Sequence, residues 1–273
     1  MDKPDSAEPQ RSEFVRWARN GVALGIAVVV LVPMLTAVWK RNHPEAPPAR
    51  PATQQMGAAP QQPPVQLADF RGEEASPDAR LMANWVVATQ NHRQRAFILV
   101  DKKEARVYVF APDGRLQDST PALLGEAPGD SVLPGVGDKP LAEIRPDEKT
   151  TPAGRFVAEP GMNADNEDVI WVNYKDAISM HRVRPWVEHE RRLERLATLA
   201  VEDNRISFGC INLPVSFYEQ VAKPAVTKYG AIIYVLPEVR TVQQVFGAYD
   251  VTDPAQSAAA RQAAAAARPA VQG

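Results

Sequence analysis

The stretch AFILVDKKEARVYVFAPDG, running from Ala96 to Gly114, sets the architecture. Ala96–Val100 is a short apolar run, Arg106–Phe110 alternates polar and apolar residues, and Asp113-Gly114 is a turn signal. Alternation with a period of two, closed by turn residues, is the pattern of a strand with one face buried. Beyond this hairpin, further strands are expected at Arg155–Ala158, Val169–Asn173, Ala177–His181 and Ala231–Leu236. Helices are fewer. One is expected after Ser76, a good N-cap, with Pro77 in its first turn and Leu81, Met82, Trp85 and Val86 on one face. Two others are expected near Trp186–Ala200 and Pro214–Tyr229. The reading is a mainly β domain over residues 78–251, long enough to bury one core.

The flanks read differently. Residues 21–39, GVALGIAVVVLVPMLTAVW, carry no charge and would span roughly 28 Å as a helix, close to the hydrocarbon thickness of a bilayer. Pro33 is tolerated in such a helix, and Trp17 and Trp39 bracket it as interface aromatics do. The apolar run is longer than a signal-peptide h-region and no small-x-small site follows it closely, so an uncleaved transmembrane anchor is expected. Lys3, Arg11, Arg16 and Arg19 before the segment slightly outnumber Lys40, Arg41 and Arg50 after it, which leans towards a cytoplasmic tail over 1–20. Residues 40–77 are rich in Pro, Gln and Ala and read as a spacer that cannot bury enough surface to order itself. The Ala-rich residues 252–273 lack a large apolar face and read as a disordered tail.

Composition narrows the function classes. The 273 residues are 45% hydrophobic and 23% charged, which excludes a wholly disordered chain. A net charge of −2 gives no reason to expect a nucleic-acid partner. The single cysteine, Cys210, excludes an intramolecular disulfide and a cysteine-based zinc site, and no metal or cofactor is expected. That cysteine is either an inert buried side chain or a reactive thiol. Its setting, Arg205-Ile206-Ser207-Phe208-Gly209-Cys210-Ile211-Asn212-Leu213-Pro214, suits a nucleophile. Gly209 permits a tight turn that exposes backbone N–H groups to a developing oxyanion. A thiol nucleophile needs an imidazole base. Of the four histidines, His43 falls at the membrane edge, His92 closes the first helix and His189 lies in a charged run, whereas His181 ends a strand.

These residues resemble a known family. Ser207-Phe208-Gly209-Cys210-Ile211-Asn212 is similar to the signature of the L,D-transpeptidases, the YkuD-like peptidoglycan enzymes, whose usual form is Ser/Thr-His-Gly-Cys followed by Arg or Asn. In the same chain order, the Phe97–Phe110 hairpin resembles the family's opening strands, Thr151-Pro152-Ala153-Gly154-Arg155-Phe156 resembles its Thr-Pro-x-Gly-x-Phe segment, and His181 falls where the family places its base. Phe217-Tyr218 is similar to the helix of the Asn-type branch. The likeness covers about Ala96 to Leu236. Departures stand out: Phe208 replaces the family's usual His before Gly-Cys, His181-Arg182-Val183 replaces the usual His-Gly-Thr or His-Ser run after the base, and the 29-residue interval from His181 to Cys210 is longer than usual.

The resemblance implies an L,D-transpeptidase-like β-sandwich behind one transmembrane helix. It implies Cys210 as nucleophile, His181 as general base and the Gly209 N–H in the oxyanion site. Ser207, Asn212, Arg205 and Arg184 are the candidate substrate-binding residues. The expected chemistry is thioester formation with a peptidoglycan stem peptide, then transfer to an amine, in a domain held in the periplasm by an inner-membrane anchor. A catalytically inactive wall-binding scaffold and an L,D-carboxypeptidase of the same fold are the alternatives.

Overall fold

The computed structural model describes residues 65–198 and 200–266. The expected cytoplasmic tail, the 21–39 anchor, His43 and most of the spacer lie outside these residues. Among the described residues no helix is long and apolar enough to cross a membrane.

The opening hairpin forms where expected, as β1 (Ala96–Asp101) and β2 (Arg106–Phe110), paired antiparallel with Leu99 opposite Tyr108. Then follow β3 (Leu116–Pro121), β4 (Leu124–Gly125), β5 (Gly154–Met162), β6 (Asp168–Asn173), β7 (Ile178–Arg182), β8 (Arg205–Ser207), β9 (Ile211–Leu213) and β10 (Ala231–Val235). Eight strands make one mixed sheet in the order β3-β2-β1-β10-β5-β6-β7-β9, and β4 and β8 form a short parallel ribbon. The expected sandwich therefore takes the form of one continuous sheet. Its pivot is β5, whose first half pairs with β10 and whose second half, from Glu159, pairs with β6.

The pleat sorts side chains onto two faces, since residues opposed across strands share a face and successive residues alternate. On one face Ile98, Ala158, Ile170, Met180, Ile211 and Ile233 join a single buried cluster. A helical arm covers it, made of Val215–Phe217, a π turn at Tyr218–Ala222 and Lys223–Tyr229, and Phe217, Tyr218, Ala222 and Val226 enter the same cluster. On the other face, Phe97, Leu99, Tyr108, Ile232 and Tyr234 pack under the helix α1 (Pro77–Ala88). Ser76 caps α1 by accepting the Ala79 N–H at 3.1 Å. The same face continues across β5, β6 and β7, where it carries Glu159, Trp171, Ser179 and His181.

Three expectations change. The ordered part starts before residue 78: Asp69 bridges to Arg115, Phe70 is buried, and Glu73 accepts the Ser119 hydroxyl at 2.7 Å, so the end of the spacer is tied to the hairpin. The helix expected across Trp186–Ala200 shrinks to a 3-10 turn at Glu188–Glu190 and α2 (Arg192–Ala197), in which Leu196 is buried and Leu193 is exposed, so the leucine spacing does not build the continuous apolar face a longer helix needs. The Ala-rich tail, expected to be disordered, is helical over Pro254–Ala266. Alanine has the best intrinsic helix propensity, and Asp253 caps the start by accepting the Ala255 N–H at 2.8 Å.

Candidate active site

Cys210 stands at the head of β9, one residue before Ile211, which pairs with Met180 of β7 in parallel. That register sets Cys210 level with Ser179. The sulfur lies 3.5 Å from the Ser179 backbone nitrogen and 3.6 Å from its Oγ, and the thiol faces the Ala177 carbonyl at 3.7 Å. His181, two residues along the same strand face, lies opposite Asn212. The tertiary structure thus brings the two residues singled out in the sequence onto adjacent strands. Among the described residues, the imidazole is not a hydrogen-bond partner of the sulfur; Ser179 and Ala177 are.

The imidazole has a defined state. Its Nδ1 lies 2.7 Å from the Arg182 carbonyl, an acceptor only, so Nδ1 carries the proton and Nε2 keeps a free lone pair. Burial pushes the His181 pKa down from 6.5 to about 4, the Arg182 carbonyl works against this, and the nearby Arg184 and Arg192 guanidiniums push the same way as burial. His181 is therefore neutral at physiological pH, a base rather than half of a resting ion pair.

The loop bearing Cys210 is held from both sides. Gly209 adopts φ +122°, and a Cβ there would come within 2.7 Å of both the Ile178 Cδ1 and the Thr150 carbonyl, so only glycine fits. The Gly209 carbonyl accepts the Thr151 hydroxyl at 2.8 Å, and that hydroxyl oxygen accepts the Gly125 N–H at 2.9 Å. The Cys210 carbonyl accepts the Ser207 hydroxyl at 2.6 Å and the Asn212 amide at 3.2 Å. Asn212 is oriented in turn by Arg192, whose Nη1 donates to its Oδ1 at 2.8 Å.

These contacts correct five of the expected roles. The Gly209 N–H donates to Ser207 Oγ at 3.1 Å, so it is not open to an oxyanion; among the described residues the N–H of Cys210 itself has no acceptor. Ser207 and Asn212 are buried and brace the loop rather than meet substrate. Arg205 points into the fold, donating to the Lys102 carbonyl at 2.8 Å and pairing with Glu238, because a charge cluster of Lys102, Asp130 and Glu238 lies beneath it. Arg184 is paired with Asp165 and Glu167. Of the other histidines, His92 is buried between the Val86 and Pro112 carbonyls and His189 is exposed.

Sequence reasoning missed Thr151, Ser179 and Arg192 as parts of the site. Thr151 stood in a recognised segment and Ser179 shares the two-residue period of His181, so both carried a signal. Arg192 carried none, since a charged run reads as solvated until its partner is placed beside it.

A segment between Gly129 and Thr150, with 3-10 turns at Val136–Asp138, Leu141–Glu143 and Pro146–Glu148, stands over the sulfur. Beneath it is a narrow slot of about 70 Å³ lined by Val136, Leu141, Ile144, Ile178, Phe208 and Cys210. Phe208 forms part of this wall, with the Lys149 ammonium 4.5 Å from its ring centre. Half-buried Cys210 thus opens into a cavity the size of a side chain. Among the described residues no cluster of His, Cys, Asp or Glu could hold a metal ion.

No family model matches the chain, and no curated protein matches it. Solved structures with a similar strand arrangement include the helical cell shape determining protein Pgp2 from Campylobacter jejuni, at 14% identity and TM-score 0.34, over 54% of this chain and 48% of that one. An L,D-transpeptidase from Mycobacterium smegmatis matches at 17% identity and TM-score 0.31, over 52% and 58%. The catalytic domain of the E. faecium L,D-transpeptidase matches at 16% identity and TM-score 0.31, over 52% and 98%. The chain spans about half the length of Pgp2. Scores this low leave the function to the geometry of the site itself.

Proposed function

We propose that this chain is a cysteine acyltransferase acting on peptidoglycan stem peptides, an L,D-transpeptidase in its chemistry. The observation that carries the reading is the placement of a half-buried thiol and a neutral imidazole on neighbouring strands, with Nδ1 fixed on the Arg182 carbonyl and Nε2 left free. The chemistry follows from those atoms. Nε2 of His181 takes the thiol proton as Cys210 Sγ attacks the carbonyl of the third stem residue. The Cys210 N–H, unengaged among the described residues, faces the oxyanion. The imidazolium returns its proton to the departing D-Ala amine, leaving a thioester. An acceptor amine then attacks the thioester, losing its proton to Nε2 and releasing the thiol.

In this reading residues 21–39 anchor the chain in the inner membrane, residues 40–64 span the gap to the fold, and the fold lies in the periplasm where peptidoglycan is. A second reading, a wall-binding domain without catalysis, draws on two observations: the sulfur is engaged by Ser179 and Ala177, and Phe208 stands where the resembling family has a histidine. Carbapenem labelling separates the two. A carbapenem adduct on the wild-type protein, absent in Cys210→Ala, supports the enzyme; an unmodified wild-type protein refutes it. Digestion of a tetrapeptide muropeptide with and without an acceptor amine then distinguishes transfer from hydrolysis, the carboxypeptidase alternative.

A further inference from the structure

The face that carries Cys210 does not end at β7. Ser179, level with the sulfur, is opposite Trp171 of β6, and Trp171 is opposite Glu159 of β5. The row Glu159, Trp171, Ser179, Cys210 therefore crosses four strands on one face. At about 4.8 Å between strands, Trp171 lies about 10 Å from the nucleophile.

Trp171 is arranged as a platform. Its indole lies over Gly161, where a Cβ would come within 2.6 Å of both Cδ1 and Nε1, so glycine at that position lets the ring lie down against the sheet. Tyr174, 72% exposed, meets it edge-on, with ring centres 4.9 Å apart and planes at 73°. Together they make an aromatic corner, floor and wall, at the side of a groove of about 460 Å³. Glu159, Arg155 and Lys175 also line that groove, all exposed; Arg155 donates to the Asn91 Oδ1 at 2.9 Å and to the Asn91 carbonyl at 3.0 Å, and among the described residues Lys175 has no carboxylate partner. The cap segment meets the turn after Tyr174, since Gly137 packs against the Lys175 carbonyl, so the corner lies outside the cap and the sulfur beneath it.

We propose that the Trp171–Tyr174 corner binds a pyranose ring of the glycan strand from which the donor stem peptide hangs. This deepens the proposed function and rests on it. The attacked carbonyl belongs to the third stem residue, and three extended residues reach about 10 Å. That matches the two-strand spacing of about 10 Å along the row from Cys210 to Trp171, so a stem running along this row delivers its sugar onto Trp171. A flat indole with one open face suits the C–H face of a sugar ring, which is apolar and weakly positive against the ring's negative π surface. Lys175 beside the corner complements a carboxylate of the stem. A bare stem peptide has no group that needs the aromatic corner.

The test uses the full-length Cys210→Ala protein, so that binding is read without turnover, and two probes: a disaccharide-tetrapeptide and the same tetrapeptide without sugar. The disaccharide-tetrapeptide is expected to bind about tenfold more tightly by titration calorimetry. Trp171→Ala, placed in the same background, brings that ratio close to one, while Trp171→Phe, which keeps a flat face, retains most of it. Equal affinity for the two probes, or a ratio unchanged by Trp171→Ala in a protein with a wild-type melting profile, overturns the proposal. Carbapenem labelling of the wild-type protein is run alongside. A sugar-dependent ratio with no labelling leaves the sugar site standing and removes the enzymatic reading; labelling without a sugar-dependent ratio does the reverse.

Discussion

Replacing Thr151 with valine probes the clamp that holds the nucleophile loop. The side chains have nearly the same shape, so the change removes one hydroxyl and little volume. That hydroxyl is buried and makes two hydrogen bonds, donating to the Gly209 carbonyl at 2.8 Å and accepting from the Gly125 N–H at 2.9 Å. Valine leaves both backbone groups buried without a partner, at about 1–3 kcal/mol each, so a loss of about 2–6 kcal/mol of folding stability is expected. For a folded part of this size each kcal/mol moves the midpoint by about 2–4 °C, which places the fall in Tm between roughly 4 and 24 °C. Thr151→Ser, which keeps the hydroxyl, should lose only about 1 kcal/mol. Thermal melts of the three proteins followed by circular dichroism give the stability. The carbapenem acylation rate, measured well below the melting range, reports whether Cys210 has moved. A valine protein that melts within about 2 °C of wild type would refute the clamp, since the two orphaned groups must then have found other partners.

Three further outcomes are expected. First, acylation should persist into acid: His181 titrates at about 4 in the folded protein against an ordinary value of 6.5, so the acid limb of the rate profile should lie well below pH 6, and a limb near 6.5 would contradict the burial argument. The same shift affects stability, because between pH 6.5 and 4 the unfolded chain takes up a proton that the folded imidazole refuses. Stability should therefore fall across that window by up to about 3 kcal/mol, and His181→Gln should flatten the fall in denaturant titrations. Second, Lys102→Ala should cost about 3–5 kcal/mol, because the ammonium is fully buried between Asp130 at 3.1 Å and Glu238 at 3.3 Å and each carboxylate loses its buried cation, keeping only the flanking Arg240 and Arg205. Urea unfolding measures it, and a loss under about 1 kcal/mol would mean that Arg205 and Arg240 already neutralise the cluster. Third, Gly209→Ala should destabilise the fold by about 3 kcal/mol and abolish acylation, since the new Cβ needs both a rare backbone conformation and the space of Thr150 and Ile178. Retained labelling at the wild-type rate would show that the loop relaxes without moving the sulfur.

In acid the Asp130 carboxylate should be among the last to be neutralised. Burial works against its charge, but the backbone N–H groups of Arg240 and Glu238 and the Lys102 ammonium outweigh this and bring it down to about 2. Its contribution is present above its ordinary value of 3.8 and is lost as pH falls towards 2. The His181 and Asp130 windows are thus separate, and the acid unfolding curve should respond to His181→Gln between pH 6.5 and 4 and to Asp130→Asn below 3.8.

Local features are readable from the order of amino acids alone. The alternation at Arg106–Phe110 dictates a strand because a period of two buries one face, and Ser76-Pro77 dictates a helix start because a hydroxyl can take a free N–H. Cys210 and His181 were legible as reactive types, and the Gly before the cysteine as a turn. The short strands β4, β8 and β9 were not legible, since two or three residues show no period. The roles of the side chains came from tertiary contacts. Ser207, Asn212, Arg205 and Gly209 all sat near the cysteine in sequence, but a side chain's role depends on which partner fills its hydrogen bonds, and those partners include residues 102, 151, 192 and 238. The sheet register, likewise invisible in the sequence, is what places Trp171 on the row of the sulfur, because pairing across strands joins residues that the chain keeps far apart.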